Sequence, residues 1–263
     1  MMLAGGVGTA NTGGSYTLDS GEGTATTSGS IKIRSTNAGT NGASGMLVFS
    51  SGSASKGNSG LVMIGSGAAT TGRGGSVAIS VGSGNSGVGG YMSVLAGRST
   101  SHTGGSLSAF SGEGTATTSG YVMLRSANSG TNGASGMLTF SSGTTTSGNS
   151  GAVMVGSGNA VGGKGGLLSV TVGSGNVGVG GAVVVTAGLT SDTVGGSVTI
   201  DSGLGATIGG DMMLAGGVGT ANTGGSYTLD SGEGTATTSG SVKIRSTNAG
   251  TNGASGMLVF SSG

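Results

Sequence analysis

Residues 15–29 read SYTLDSGEGTATTSG, and residues 76–90 read SVAISVGSGNSGVGG. In both, a short apolar alternation leads to a Gly at the seventh position, a run of small residues and a closing Ser-Gly or Gly-Gly. The same unit starts at Ser15, Ser30, Met46, Leu61, Ser76, Tyr91, Ser106, Tyr121, Met137, Ala152, Leu167, Ala182, Ser197 and Asp211, and Ser226 restarts the series. Most units are 15 residues long, with 16 in those beginning at Ser30 and Tyr121 and 14 in the one beginning at Ser197. A period this short makes the chain a repeat array, in which each unit depends on its neighbours.

Two longer periods are superimposed. The six units from Ser15 to Gly105 resemble the six from Ser106 to Gly196 at an offset of 91, and Ser20–Gly29 is identical to Ser111–Gly120. Residues 1–52 return as residues 212–263 with one change, Ile31 to Val242, which defines a superrepeat of 211 residues. Met1 has its internal copy at Met212, in mid-repeat after Asp211, so Met1 reads as a cut in a periodic polymer. We therefore expect residues 1–263 to form one continuous repeat segment of a longer chain. The 16-residue units recur at the same place in each half, and the extra residue, in the Gly39–Gly45 region, reads as a bulge.

Composition narrows the class. With 66 Gly, no Pro, no Cys, no Trp and 6% charged residues, the chain resembles neither an average globular enzyme nor a highly charged disordered tail. Collagen requires Gly at every third position together with Pro, and neither holds. Helix is disfavoured because each Gly costs roughly 1 kcal/mol relative to Ala. A formal charge of +1 leaves no basic footprint for nucleic acid. No apolar run approaches the ~20 residues of a membrane helix. Disulfides are excluded, and no Asn lies in an Asn-x-Ser/Thr sequon.

The periodicity predicts an all-β fibrous fold: a single-chain β-solenoid with about 15 residues per rung, two short strands per rung and Gly corners. Positions 2 and 4 of the units are nearly always apolar, and alternation places both on one face of a strand. The predicted core columns contain Ile31, Ile33, Leu47, Phe49, Val62, Ile64, Val77 and Ile79 in the first half. In the second half they contain Val122, Leu124, Leu138, Phe140, Val153 and Val155, followed by Val198 and Ile200. Gly at positions 7 and 15 marks corners where the chain turns with positive φ or without a side chain. One unit buries too few side chains to offset ordering its own backbone, so only stacking could hold it.

The outward positions carry apolar groups too, where a solvated face would be polar. Met46, Val48, Leu61, Met63, Tyr91, Leu95, Tyr121, Met123, Met137, Met154, Val184 and Met213 are candidates for lateral packing against another copy. Some of the few charges fall at position 5. Asp19 and Arg34 fall one rung apart, Asp230 and Arg245 repeat them, and Phe110 with Arg125 takes their place in the middle copy as a cation–π pair. Exposed pairs of this kind would fix register more than they stabilise.

Several strings imitate chemical motifs. Gly158–Gly165 resembles a phosphate-binding loop, yet Gly165 stands where Ser or Thr would bind magnesium, and its sister Gly67–Gly74 carries Arg73 in place of Lys164. Gly82–Gly87 and Gly173–Gly178 match G-x-G-x-x-G with no following helix. His102, the single histidine, maps to Thr193 in the sister unit. The acidic residues are dispersed, and the Asp-bearing nonapeptide of calcium-binding β-rolls is absent. No catalytic residue, cofactor site or metal site is expected, and neither a small-molecule substrate nor membrane insertion.

Thr24 and Thr26, Thr115 and Thr117, and Thr235 and Thr237 form Thr-x-Thr pairs. These resemble the Thr faces of ice-binding solenoids, although they sit in isolated units. A surface-binding module, ice-binding or adhesin-like, is thus the alternative. Units such as residues 76–90 resemble the long Gly/Ser/Thr/Val tandem arrays of giant secreted proteins of diatoms and related algae. That resemblance implies an extracellular or cell-surface fibrous component with no catalytic residues. The function expected from both lines is structural: a fibre-forming protein whose partner is itself.

Overall fold

The computed structural model describes residues 3–9 and 12–262. It divides into two units, Met1–Ser135 and Gly136–Gly263. In both, the described residues contain neither an α-helix nor a β-strand; the chain is a succession of irregular segments, bends and turns. This overturns the predicted β-solenoid. A sheet needs backbone partners about 4.7–4.9 Å away on a neighbouring strand. Here every hydrogen bond of the described residues has both ends inside one repeat.

In the first unit, the closing Gly of several repeats returns to its own seventh position, most loosely in Gly75 to Gly67 at 3.4 Å. The amide of Gly29 donates to the carbonyl of Gly21 at 2.9 Å, Gly105 to Gly97 at 2.8 Å and Gly120 to Gly112 at 2.9 Å. The second unit repeats this with Gly196 to Gly188, Gly225 to Gly217 and Gly240 to Gly232, at 2.8–2.9 Å. The shortened repeat 197–210 closes in the same way, from Gly210 to Gly203 at 2.9 Å. A Ser at position 6 supplies a side-chain tie in some repeats. Ser20 Oγ donates to the Gly29 carbonyl at 3.0 Å, Ser66 to Gly75 at 2.7 Å and Ser157 to Gly166 at 3.0 Å. Each repeat so tied is an irregular apolar segment followed by a small loop whose ends touch, an Ω-type closure.

This neck explains the closing glycine. A Cβ on Gly75 or Gly166 would lie 3.0 Å from the Cβ of Ser66 or Ser157, and one on Gly196 would lie 3.0 Å from the Gly188 nitrogen. Close approach, not handedness, is the requirement. Positive φ occurs among the described residues only within loops, at Gly87, Gly148, Gly162 and Gly178. The seventh-position glycines Gly21, Gly52, Gly67 and Gly112 would meet nothing within 4 Å.

The 16-residue repeats close differently. Gly42 donates to Gly39 at 3.3 Å and Gly133 to Gly130 at 3.4 Å in the first unit, and Gly253 to Gly250 at 3.2 Å in the second. The sequence Gly-Thr-Asn-Gly thus forms a four-residue turn each time. The predicted bulge is replaced by this turn, since without a ladder there is no strand to bulge.

The predicted core columns are not buried. In the first unit Ile31, Ile33, Leu47, Phe49, Val62, Ile64, Val77, Ile79, Val122 and Leu124 are all exposed, as are Leu138, Phe140, Val153, Val155, Val198 and Ile200 in the second. No described residue belongs to a buried core. The accessible surface is 25907 Å², against roughly 10,000 Å² for a folded monomer of this mass and about 35,000 Å² for an unfolded one. The cause is the one that makes a lone repeat marginal: with no ladder to align neighbouring repeats, two apolar side chains in each have no facing layer to enter. Alternation still registers. Val62 is 49% exposed between Leu61 at 81% and Met63 at 82%.

Candidate functional site

Apolar side chains from three successive repeats of the first unit come together at one place. Ile31, Ile33, Phe49, Val62, Met63 and Ile64 line an open depression of about 740 Å³, with Gly65 at its edge. All but Met63 come from positions 2 and 4 of their repeats. Five of the six were expected in core columns; the depression is the residue of that tendency, open to solvent. Met63 was expected to face outward and lies among them.

The other outward candidates are exposed. In the first unit these are Met46, Val48, Leu61, Tyr91, Leu95, Tyr121 and Met123; in the second they are Met137, Met154, Val184 and Met213. Tyr91, Met137, Met154 and Met213 are among the barest, near nine-tenths exposed.

The expected Asp–Arg inter-rung pairs are not hydrogen-bonded. No hydrogen bond of the described residues joins Asp19 to Arg34 or Asp230 to Arg245. Phe110 is 90% exposed. The physical reason is shared: pairing across rungs presupposes a register that no ladder imposes. Arg245 instead borders a shallow, open recess with its own neighbours Ser246, Thr247 and Asn248.

The imitated motifs have local explanations. In Gly158–Gly165, Gly162 has φ of +80° and Ser157 ties the loop to Gly166, so the string is one of the closed loops. His102 sits at a bend where Ser101 Oγ approaches its Nδ1 at 3.0 Å and its amide donates to Ser99 Oγ at 3.0 Å. No cluster of three or more His, Cys, Asp or Glu among the described residues could hold a metal ion. The Thr-x-Thr pairs at 24–26, 115–117 and 235–237 lie on bends.

Two features went unread in the sequence: the tie from position 6 to position 15, and the Gly-Thr-Asn-Gly turn. Both had a signal. Ser precedes the seventh-position Gly in most repeats, and Gly-Thr-Asn-Gly occurs only in the 16-residue ones. No family model matches the chain, nor does any curated protein or solved structure.

Proposed function

We propose that the chain is a structural protein that associates with copies of itself into extracellular or cell-surface filaments. It has no catalytic role in this reading, and its partner is a second copy. The observation that carries it is the recurrence of large, bare apolar side chains at fixed positions in repeat after repeat, Met46, Leu61, Met63, Met137, Met154 and Met213 among them. Covering such groups is favourable by about 25 cal/mol per Å² of apolar surface removed from water. Periodicity suits this use, because a copy displaced by one repeat meets the same chemistry. The return of residues 1–52 at 212–263 offers the same surface one superrepeat further along, which suits growth in length.

Sedimentation velocity and electron microscopy of the chain, beside a variant with those six residues changed to Ser, test the reading. The parent is expected to form elongated assemblies at micromolar concentration and the variant to remain monomeric. A parent that stays monomeric, or a variant that assembles as well as the parent, would refute it.

A further inference from the structure

We infer that Asn41, Asn132 and Asn252 are sites of spontaneous deamidation, built into the turn that distinguishes the 16-residue repeats. This goes beyond self-association and does not depend on it.

In each turn the Asn is followed by Gly, and both central residues, Thr and Asn, are exposed. Asn-Gly in a tight hairpin ordinarily takes a turn with positive φ at both central residues. Here no non-glycine residue among those described has positive φ, so Asn41, Asn132 and Asn252 sit in an ordinary turn held by a single bond. That bond is long. The Gly42, Gly133 and Gly253 amides donate at 3.3, 3.4 and 3.2 Å, at or beyond the usual 2.7–3.2 Å range, whereas the hydrogen-bonded loop necks other than Gly75–Gly67 close at 2.8–2.9 Å. The amide that must act as nucleophile is thus the most loosely held of the glycine amides that close a turn or loop, except that of Gly75 at 3.4 Å. A following Gly also has no Cβ to obstruct the approach.

The chemistry needs only water. The Gly42 nitrogen, having lost its proton to solvent base, attacks Cγ of Asn41. The C–N bond to the side-chain amide breaks, ammonia leaves, and a five-membered succinimide closes. Water then adds at one of the two ring carbonyls and opens the ring to Asp or to isoaspartate, whose backbone runs through the side chain. The net change is amide plus water to carboxylate plus ammonium.

The sites are placed where a new carboxylate alters most. In the repeats containing them the only formal charges are positive: Lys32 and Arg34, then Arg125, then Lys243 and Arg245. The repeats just before them carry only negative ones: Asp19 and Glu22, then Glu113, then Asp230 and Glu233. Each conversion erodes that contrast between neighbouring repeats. All three together reverse the sign of a chain whose formal charge is +1.

The test is peptide mapping by mass spectrometry of the full chain incubated at mildly alkaline pH, with fragmentation that separates Asp from isoaspartate. Asn41, Asn132 and Asn252 should convert several-fold faster than the Asn-Ser sites Asn58, Asn85, Asn128 and Asn149, and should slow as pH falls. A triple variant, Gly42→Ala, Gly133→Ala and Gly253→Ala, is the control. Its new methyl groups would meet only Ala38, Ser129 and Ala249 side chains at 3.6–3.7 Å, ordinary contact. In this variant the three Asn should convert no faster than the Asn-Ser sites. Equal rates at all Asn in the parent, or undiminished rates in the triple variant, would overturn the inference.

Discussion

Replacing Gly114 and Gly112 by Ala, one at a time, should move the same loop in opposite directions. A Cβ on Gly114 would lie 2.5 Å from the Thr118 carbonyl oxygen, 2.8 Å from its carbon and 2.9 Å from the Thr117 oxygen. All three are backbone atoms, so no side chain can rotate away. The loop must spread by about half an ångström merely to bring the nearest contact to the 3.0 Å edge of what real structures show, and the spreading pulls on the Gly120–Gly112 bond of 2.9 Å. A net hydrogen bond contributes about 0.5–1.5 kcal/mol, equivalent to roughly two- to twelvefold protection of the Gly120 amide against exchange. Gly114→Ala should abolish that protection. At Gly112 a Cβ meets nothing within 4 Å, and removing chain freedom there is worth about 0.4–1 kcal/mol, a further twofold to fivefold. Amide hydrogen exchange followed by NMR reads both, with Tyr121 next to Gly120 as a distinct reporter for assignment. If the two variants change Gly120 exchange alike, the closed neck is not what orders this repeat.

Other consequences are open to simpler measurements. Ser157→Ala removes the 3.0 Å tie to Gly166, so trypsin should cut after Lys164 about two- to twelvefold faster; an unchanged rate would show the tie contributes nothing. Gly181→Ala would set a methyl 2.5 Å from Val172 Cγ1, a side chain that can rotate, so it should loosen its loop far less than Gly114→Ala does. Circular dichroism of the monomer should show neither helix nor sheet; a sheet spectrum, or a ~4.8 Å strand spacing from unassembled protein, would contradict the structure. Sulfate salts, which strengthen apolar burial, should lower the concentration at which copies associate. Assembly dissolved by sulfate would mean that charge, not apolar surface, drives it.

Much of the local organisation is legible in the residues. The apolar alternation is visible at Leu61, Val62 and Met63 and survives as a difference in exposure. The special length of the repeat at Ser30 is visible too, and the structure turns it into the Gly39–Gly42 turn. The error lay in passing from alternation to burial. Ile31 and Ile33 have the pattern of a strand face, but a pattern states which side chains share a side and not what lies opposite. For Asp19 and Arg34 the equal position numbers implied adjacency only if rungs were already stacked.

Period, glycine placement and the scarcity of core-forming residues are properties of the chain alone, because each depends on residue type and spacing. The partner of each backbone amide is not such a property. The Gly29 amide could have met a carbonyl of the next repeat or the Gly21 carbonyl of its own, and in a periodic chain both choices offer the same group in the same order. Only the folded arrangement distinguishes them, and it takes the nearer, where the short span of chain between Gly21 and Gly29 makes closure cost less entropy than docking a second repeat.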